Sequence, residues 1–218
     1  MVTNERTVLT TIVGSDDGSK TFEIKRIWDE SKRIGIVITL YPTISAHDID
    51  LMDLSTMHLL NHVRDFDWGG VRIINLFSKV FEKKPLSKDL YEDDENYQYI
   101  KKMMTQKEIA DNDIVIGWGS GLSNNKETIR KKIEILELIQ KKKFIKDIKC
   151  IETDYLEGTQ PGVHPLFLGL HHSKEEWRLE PYPLEDEISE LIDTYDSMNV
   201  RKAVKESKEE EDVLQTEE

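Results

Sequence analysis

The sequence predicts an α/β protein of three layers with a mainly parallel central sheet. Three short apolar runs carry that prediction: "RIGIVITL" (33–40), "GGVRIINLF" (69–77) and "NDIVIGWG" (112–119). They are rich in β-branched residues and lack polar alternation, as strands covered on both faces must. Between them lie segments with apolar residues at helical spacing, so strands and helices alternate as in βαβ crossovers.

Taken in order, "RTVLTTIV" and "KTFEIKRIW" flank the turn-forming "GSDDGS" and read as an N-terminal β-hairpin. After the strand at 33–40, a helix is predicted from Ile49 to Phe66. Leu51, Leu54, Met57, Leu60 and Val63 recur there at helical spacing. Asp48, Asp50 and Asp53 surround its start, where the helix dipole stabilises carboxylates. The strand at 69–77 leads through a polar connection to a helix over 96–110. Beyond the strand at 112–119, Asn124 and Glu127 have capping-box spacing and set the start of a helix over Lys126–Phe144. Ile129, Ile133, Leu136 and Gln140 lie along one face of that helix. "IKDIKCIET" (145–153) supplies a fourth strand.

The next stretch is "EGTQPGVHPLFLGLHH" (157–172). Glycine reaches positive φ at little cost and proline fixes φ. The stretch therefore reads as a shaped turn that holds His164 and delivers the chain into another buried strand. Residues 184–200 form an acidic amphipathic helix. Residues 201–218 are charge-dense and poor in large apolar groups, so they are expected to be disordered: too little buried surface offsets their ordering entropy. Residues 1–183 thus make one α/β domain carrying a helix and a tail.

Composition removes several function classes. The 218 residues carry a net charge of −13, with 38% hydrophobic and 33% charged residues. Salt-driven binding to duplex DNA needs a positive face that this balance does not supply. Cys150 is the only cysteine, so an intrachain disulfide or a cysteine-rich zinc site is excluded. The longest apolar run, "IGIVITLY", is far too short to span a bilayer, and the start lacks the basic-then-apolar order of a secretory signal. A cytoplasmic protein with no membrane contact is expected.

In open α/β sheets, ligands bind outside the carboxyl ends of the strands. Those ends are "LYPTISAHD", "INLFSK", "GWGSGLSNN" and the turn bearing His164, and they are predicted to converge. Gly117, Gly119 and Gly121 allow backbone amides to approach a ligand, either as a phosphate cradle or as a plain strand-to-helix turn. The loop matches neither the dinucleotide fingerprint nor the P-loop. Trp118 either stacks on a base or completes the core. His58 and His62 stand four apart, a spacing that chelates metals on one helical face. No third ligand is set by spacing, so no metal and no cofactor is expected. A metal-dependent phosphoesterase built on Asp48, Asp53, His58 and His62 is a third reading.

The ordered blocks "IVITLYPTISAHD", "DLSTMHLL", "WGGVRIINLFSK", "DIVIGWG" and "GTQPGVHPLFLG" resemble a bacterial and phage family, domain-of-unknown-function family 1643, over roughly residues 7–170. The anchors are Asn75-Leu76-Phe77, Trp118-Gly119 and His164-Pro165-Leu166. The resemblance implies cargo of a phage or mobile element. This chain has Tyr41-Pro42-Thr43 where that family usually shows Asn-Pro-Ser, and Asp53-Leu54-Ser55-Thr56 where it shows Asp-Pro-Thr.

More remotely, the layout is similar to the uracil-DNA glycosylase superfamily, which excises bases by positioning a water and stabilising the departing base. That similarity implies a loop 41–48 near the sugar or water, Trp118 or Phe77 stacking, and His164 donating toward the leaving base. Tyr41 stands where a water-binding Asn or Asp is wanted. Asp48 substitutes for it only if its side chain turns into the same crevice.

The expected function is recognition of a nucleotide or nucleobase, with N-glycosidic hydrolysis as the reaction if there is one. Its site would comprise His164 and Asp48 as catalytic groups, with Tyr41, Thr43, Asn75, Phe77, Trp118, Gly119 and Gly121 binding the ligand. The alternative is a non-catalytic acidic protein that binds a host factor or sequesters a signalling nucleotide.

Overall fold

A computed structural model describes residues 1–91, 93–142, 145, 147–156 and 160–216, with side chains described up to residue 200. Seven strands form one sheet: β1 (Leu9–Gly14), β2 (Thr21–Ile27), β3 (Ile34–Thr39), β4 (Gly70–Asn75), β5 (Asp113–Ile116), β6 (Ile148–Glu152) and β7 (Arg178–Pro181). Their order across the sheet is β1-β2-β4-β3-β5-β6-β7. The sheet is mixed rather than mainly parallel. Only β4-β3-β5-β6 run parallel, while β1–β2, β2–β4 and β6–β7 pair antiparallel. The tight turn after β1 forces its pairing direction, and strands added at the edges need no crossover helix.

Five α-helices cover the two faces: α1 (Leu54–Asn61), α2 (Asp94–Met103), α3 (Lys126–Gln140), α4 (Pro165–His171) and α5 (Leu184–Thr216). One core joins Ile36, Ile38 and Ile116 of the sheet to Ile100, Leu136 and Ile188 of α2, α3 and α5. The other joins Val37, Ile73 and Val115 to Leu59 of α1 and Leu168 of α4. Alternate residues of β3 thus feed opposite cores, which explains why its run is apolar throughout. The expected three layers are present. No helix among the described residues is long and apolar enough to cross a membrane.

Several element boundaries depart from expectation. Helix α1 starts at Leu54, not Ile49, because the Asp53 carboxylate accepts the Thr56 amide at 2.7 Å and caps the helix there. Helix α2 ends at Met103, and residues 107–111 form a separate 3₁₀ segment. Asn125, one residue later than predicted, caps α3 by accepting from the Thr128 amide at 2.8 Å. Gln140 is exposed at the end of α3, and Lys132 is buried on its inner face. Residues 143 and 144, which the predicted helix included, lie outside the described residues.

The "PLFLGLH" run is a helix, not a strand. Pro165 sits at the first helical position behind His164 as N-cap, and Pro165 and Leu168 are buried while Phe167 and Leu170 are exposed. A six-residue apolar run does not by itself separate these two outcomes. The final edge strand is instead β7, whose "RLEP" lacks a strand pattern. At the C-terminus, α5 continues past residue 200 to Thr216, through the segment expected to be disordered. The good helix formers Ala, Lys, Glu and Gln there let an already nucleated helix propagate. Residues 217 and 218 lie outside the described residues.

The four parallel strands set the location of the site. In chain order they are β3, β4, β5 and β6, but β4 lies on one side of β3 and β5 on the other. The chain therefore reverses direction across the sheet at β3. The loops leaving β3 and β5 diverge there, opening a crevice at the carboxyl edge.

Candidate functional site

A cavity of about 470 Å³ fills that crevice. Its lining includes Tyr41, Thr43, Asn75, Trp118, Gly119, Gly121 and His164, so seven of the predicted site residues meet at one rim. Most of the remaining wall is apolar, including Ile24, Ile73, Leu59, Leu156 and Leu166, a composition suited to a small ligand with a few oriented polar groups.

Asn75 ends β4 and stands in register with Thr39 at the end of β3. The Thr39 hydroxyl donates to Asn75 Oδ1 at 2.5 Å, and the Asn75 backbone oxygen accepts from Asn96 Nδ2 at 2.8 Å. These bonds set the amide's orientation. They leave Nδ2 without a partner among the described residues, on a side chain that is 2% exposed yet lines the cavity.

His164 is held just as firmly. Its Nδ1 accepts the Leu166 amide at 3.1 Å, which caps α4 and assigns the proton of the neutral ring to Nε2. Burial pushes the imidazole down to about 4, against the opposing pull of the Asp53 carboxylate. His164 is therefore a neutral donor at pH 7 and not a cation. Its Nε2 has no hydrogen-bond partner among the described residues. Gly119, at φ +61°, allows this arrangement. A Cβ there would stand 3.0 Å from His164 Cβ, and the Gly119 amide donates to the Gly162 carbonyl at 2.8 Å, stitching the two loops together.

Two predicted residues are not in the cavity. Asp48 is exposed in a turn where its amide donates to the Ser45 carbonyl at 3.0 Å, so its side chain does not enter the crevice. Phe77 is buried in the core on the α2, α3 and α5 side of the sheet. It lies two residues past the end of β4, where strand alternation no longer holds, and Leu76 and Phe77 both pack into that core. Trp118 contributes to the wall, but its ring is 2% exposed, meets Tyr182 edge-on at 6.4 Å and carries the Lys132 ammonium 5.3 Å from its centroid. It belongs to the core more than to a stacking platform. Tyr41, half-buried and edge-on to Phe81 at 5.6 Å, is a more open aromatic ring at the cavity.

Sequence reasoning missed Asp53 as a cavity residue. It treated Asp53 as a helix-start carboxylate or metal ligand, and Asp53 does cap α1 through Oδ1 while lining the cavity. The capping signal was visible. That the cap also faces the cavity depends on how α1 packs. Gln160, Ser55 and Phe167 also line the wall.

The metal-centred reading does not assemble. His58 packs on α4, where a Cβ at Gly169 would stand 1.8 Å from its ring. His62 Nδ1 lies 2.9 Å from Asp65 Oδ2, and its ring stacks on Trp177 at 3.8 Å. Among the described residues no group of three or more His, Cys, Asp or Glu is placed to hold a metal ion.

The family described as Protein of unknown function (DUF1643) matches residues 22–166, about two thirds of the chain. The matched region contains the lining from Ile24 to Leu166 and leaves out β1, β7 and α5. No curated protein and no solved structure shows significant similarity to the chain.

Proposed function

We propose that the chain, which belongs to the family Protein of unknown function (DUF1643), recognises a nucleobase in this cavity and hydrolyses the N-glycosidic bond that carries it. The observation that supports the reading is a pair of neutral donors without partners among the described residues, His164 Nε2–H and Asn75 Nδ2, in one mostly apolar cavity whose one described carboxylate is Asp53. A planar base with carbonyl oxygens satisfies both donors, and the apolar wall covers its faces.

In the proposed reaction the C1′–N bond breaks and its electron pair stays with the base. The hydrogen bond from His164 Nε2 stabilises the developing negative charge on the base carbonyl. A neutral imidazole suits this role, since it donates without first losing a proton to solvent at pH 7. Asp53, with Oδ1 occupied by the helix cap, has Oδ2 to orient a water that bonds to C1′. The water's proton passes to the carboxylate, and the departing base takes up a proton. Asp53 thus replaces Asp48 in the role of water-positioning carboxylate.

The test is a panel of nucleosides, nucleotides and uracil-containing DNA, followed by chromatography for released base and calorimetry for binding. Base release that disappears in His164→Asn and Asp53→Asn supports the reading. Binding without release removes the hydrolysis and leaves recognition. A panel in which nothing binds removes both.

A second reading, a non-catalytic interaction protein, draws on the exposed Leu51, Leu54, Met57, Phe167 and Leu170 in and around α1 and α4. Such apolar exposure marks contact surfaces. A host protein captured equally by wild type and His164→Asn, with no base released, favours that alternative.

A further inference from the structure

We infer that the cavity admits an unphosphorylated ligand, a free nucleobase or a nucleoside, and discriminates against nucleotides and nucleic-acid strands. The inference rests on the nucleobase reading above and narrows its substrate class.

A phosphate held against a protein needs cationic side chains or free backbone amides. Among the described residues the cavity lining contains no lysine and no arginine, and its one charged side chain is the Asp53 carboxylate. The basic residues near the rim are committed elsewhere. Lys132 lies behind the glycine loop, where Nζ donates to the Gly119 carbonyl at 3.1 Å and faces the Trp118 ring. Lys126 Nζ sits 5.0 Å from the Tyr195 ring centroid. Arg26, beneath the loop before α1, donates to the Leu51 carbonyl at 2.6 Å and to the Thr10 hydroxyl at 3.0 Å.

Several backbone donors that could cradle a phosphate are also used. The Gly119 amide donates to Gly162. At the three helix starts, the Thr56, Leu166 and Thr128 amides donate to Asp53, His164 and Asn125 side chains. Gly119 therefore serves close packing against His164 and has no amide to offer a phosphate. Outside the mouth, the loop before α1 exposes Asp48 and Asp50 beside Ile49, Leu51 and Met52. A nucleic-acid strand crossing it would meet carboxylates and apolar side chains in place of the cationic track such strands require.

The decisive experiment is calorimetry on matched pairs, uridine against its 5′-monophosphate and adenosine against its own, together with the free bases and a short single strand. The base or nucleoside is expected to bind, with the monophosphate weaker by roughly tenfold or more because its charge faces Asp53 without compensation. Nucleoside affinity should stay flat from about 50 to about 300 mM salt, since no ion pair contributes. Asp53→Asn keeps a good capping residue and should narrow the gap between nucleoside and monophosphate. A monophosphate or strand that binds as tightly as the nucleoside overturns this inference and leaves the nucleobase reading standing. An unchanged gap in Asp53→Asn overturns its electrostatic basis. If neither member of any pair binds, the nucleobase reading itself falls.

Discussion

The sheet has a cavity at each end of its parallel strands, and the two are built on opposite terms. At the amino end, a polar cavity of about 780 Å³ is lined by Arg33, Asn112, Asp113 and Lys149. Its buried polar groups are paired. Asp113 Oδ2 accepts from Trp68 Nε1 at 2.9 Å, and Oδ1 accepts from Lys149 at 3.0 Å and from Arg33 at 3.4 Å. Asn112 accepts the Ile34 amide at 2.9 Å and donates to the Glu108 carbonyl at 2.8 Å. At the carboxyl end the cavity is smaller and mostly apolar, yet Asn75 and His164 keep donors open toward it. The difference teaches that volume does not mark a site. Satisfied polar groups fasten strand starts together at the amino end, while at the carboxyl end donors stay open to the cavity.

This contrast can be broken by mutation, and the largest effect is expected at the amino end. Asp113→Ala strands the Trp68 indole N–H and the Lys149 ammonium, so urea unfolding should show a loss of about 2–3 kcal/mol. Base or nucleoside affinity, measured on the folded variant, should be unchanged. A drop in affinity there would mean that the two ends are coupled.

His164→Asn inverts that pattern. Asparagine is a good N-cap, so stability should change by no more than about 1 kcal/mol. Loss of the Nε2 donor should weaken binding by roughly tenfold or more in calorimetry. The double variant Thr39→Val, Asn75→Leu sharpens the point. Removing both partners of a buried hydrogen bond is nearly neutral for folding, within about 1 kcal/mol, while the open amide donor vanishes and binding falls by roughly tenfold.

The remaining effect is a pH dependence. The folded His164 titrates at about 4, below its ordinary 6.5. Above pH 6.5 neither state carries the proton, so its contribution to stability is fully present. Between pH 6.5 and 4 the unfolded chain takes up the proton and the native ring does not, so stability falls as pH falls. Below pH 4 this loss stops growing. Denaturation curves at pH 7 and pH 5 should therefore lie closer together for His164→Asn than for wild type. Equal separation in both would show that the ring is not neutral in the fold.

Much of the fold was legible because it depends on local chemistry. β3, β4 and β5 are apolar without alternation since each strand feeds two cores, and that pattern survives in one dimension. The run after His164 failed for the opposite reason. Six apolar residues suit a strand or a two-turn helix equally, and packing of α4 against α1, with Gly169 pressed on His58, decided between them. β7 stayed hidden because an edge strand of charged residues and proline is defined by its partner β6 and not by its own composition.

The site divides the same way. Convergence of Tyr41, Asn75, Trp118 and His164 followed from strand order alone, because every parallel strand delivers its carboxyl end to one rim. Which way each side chain turned did not follow. Asp48 and Asp53 are five residues apart and chemically identical, yet one faces solvent and the other lines the cavity because only Asp53 caps α1.

By itself, then, the sequence determined the alternation of strands and helices, the rim where their loops meet and the absence of a broad positive face, all properties of composition and period. Only the tertiary structure decided the mixed sheet, the neutrality of His164 and the open amide of Asn75. Those depend on what surrounds an atom in three dimensions. Desolvation and hydrogen-bond satisfaction are set by neighbours that lie tens of residues away in the chain.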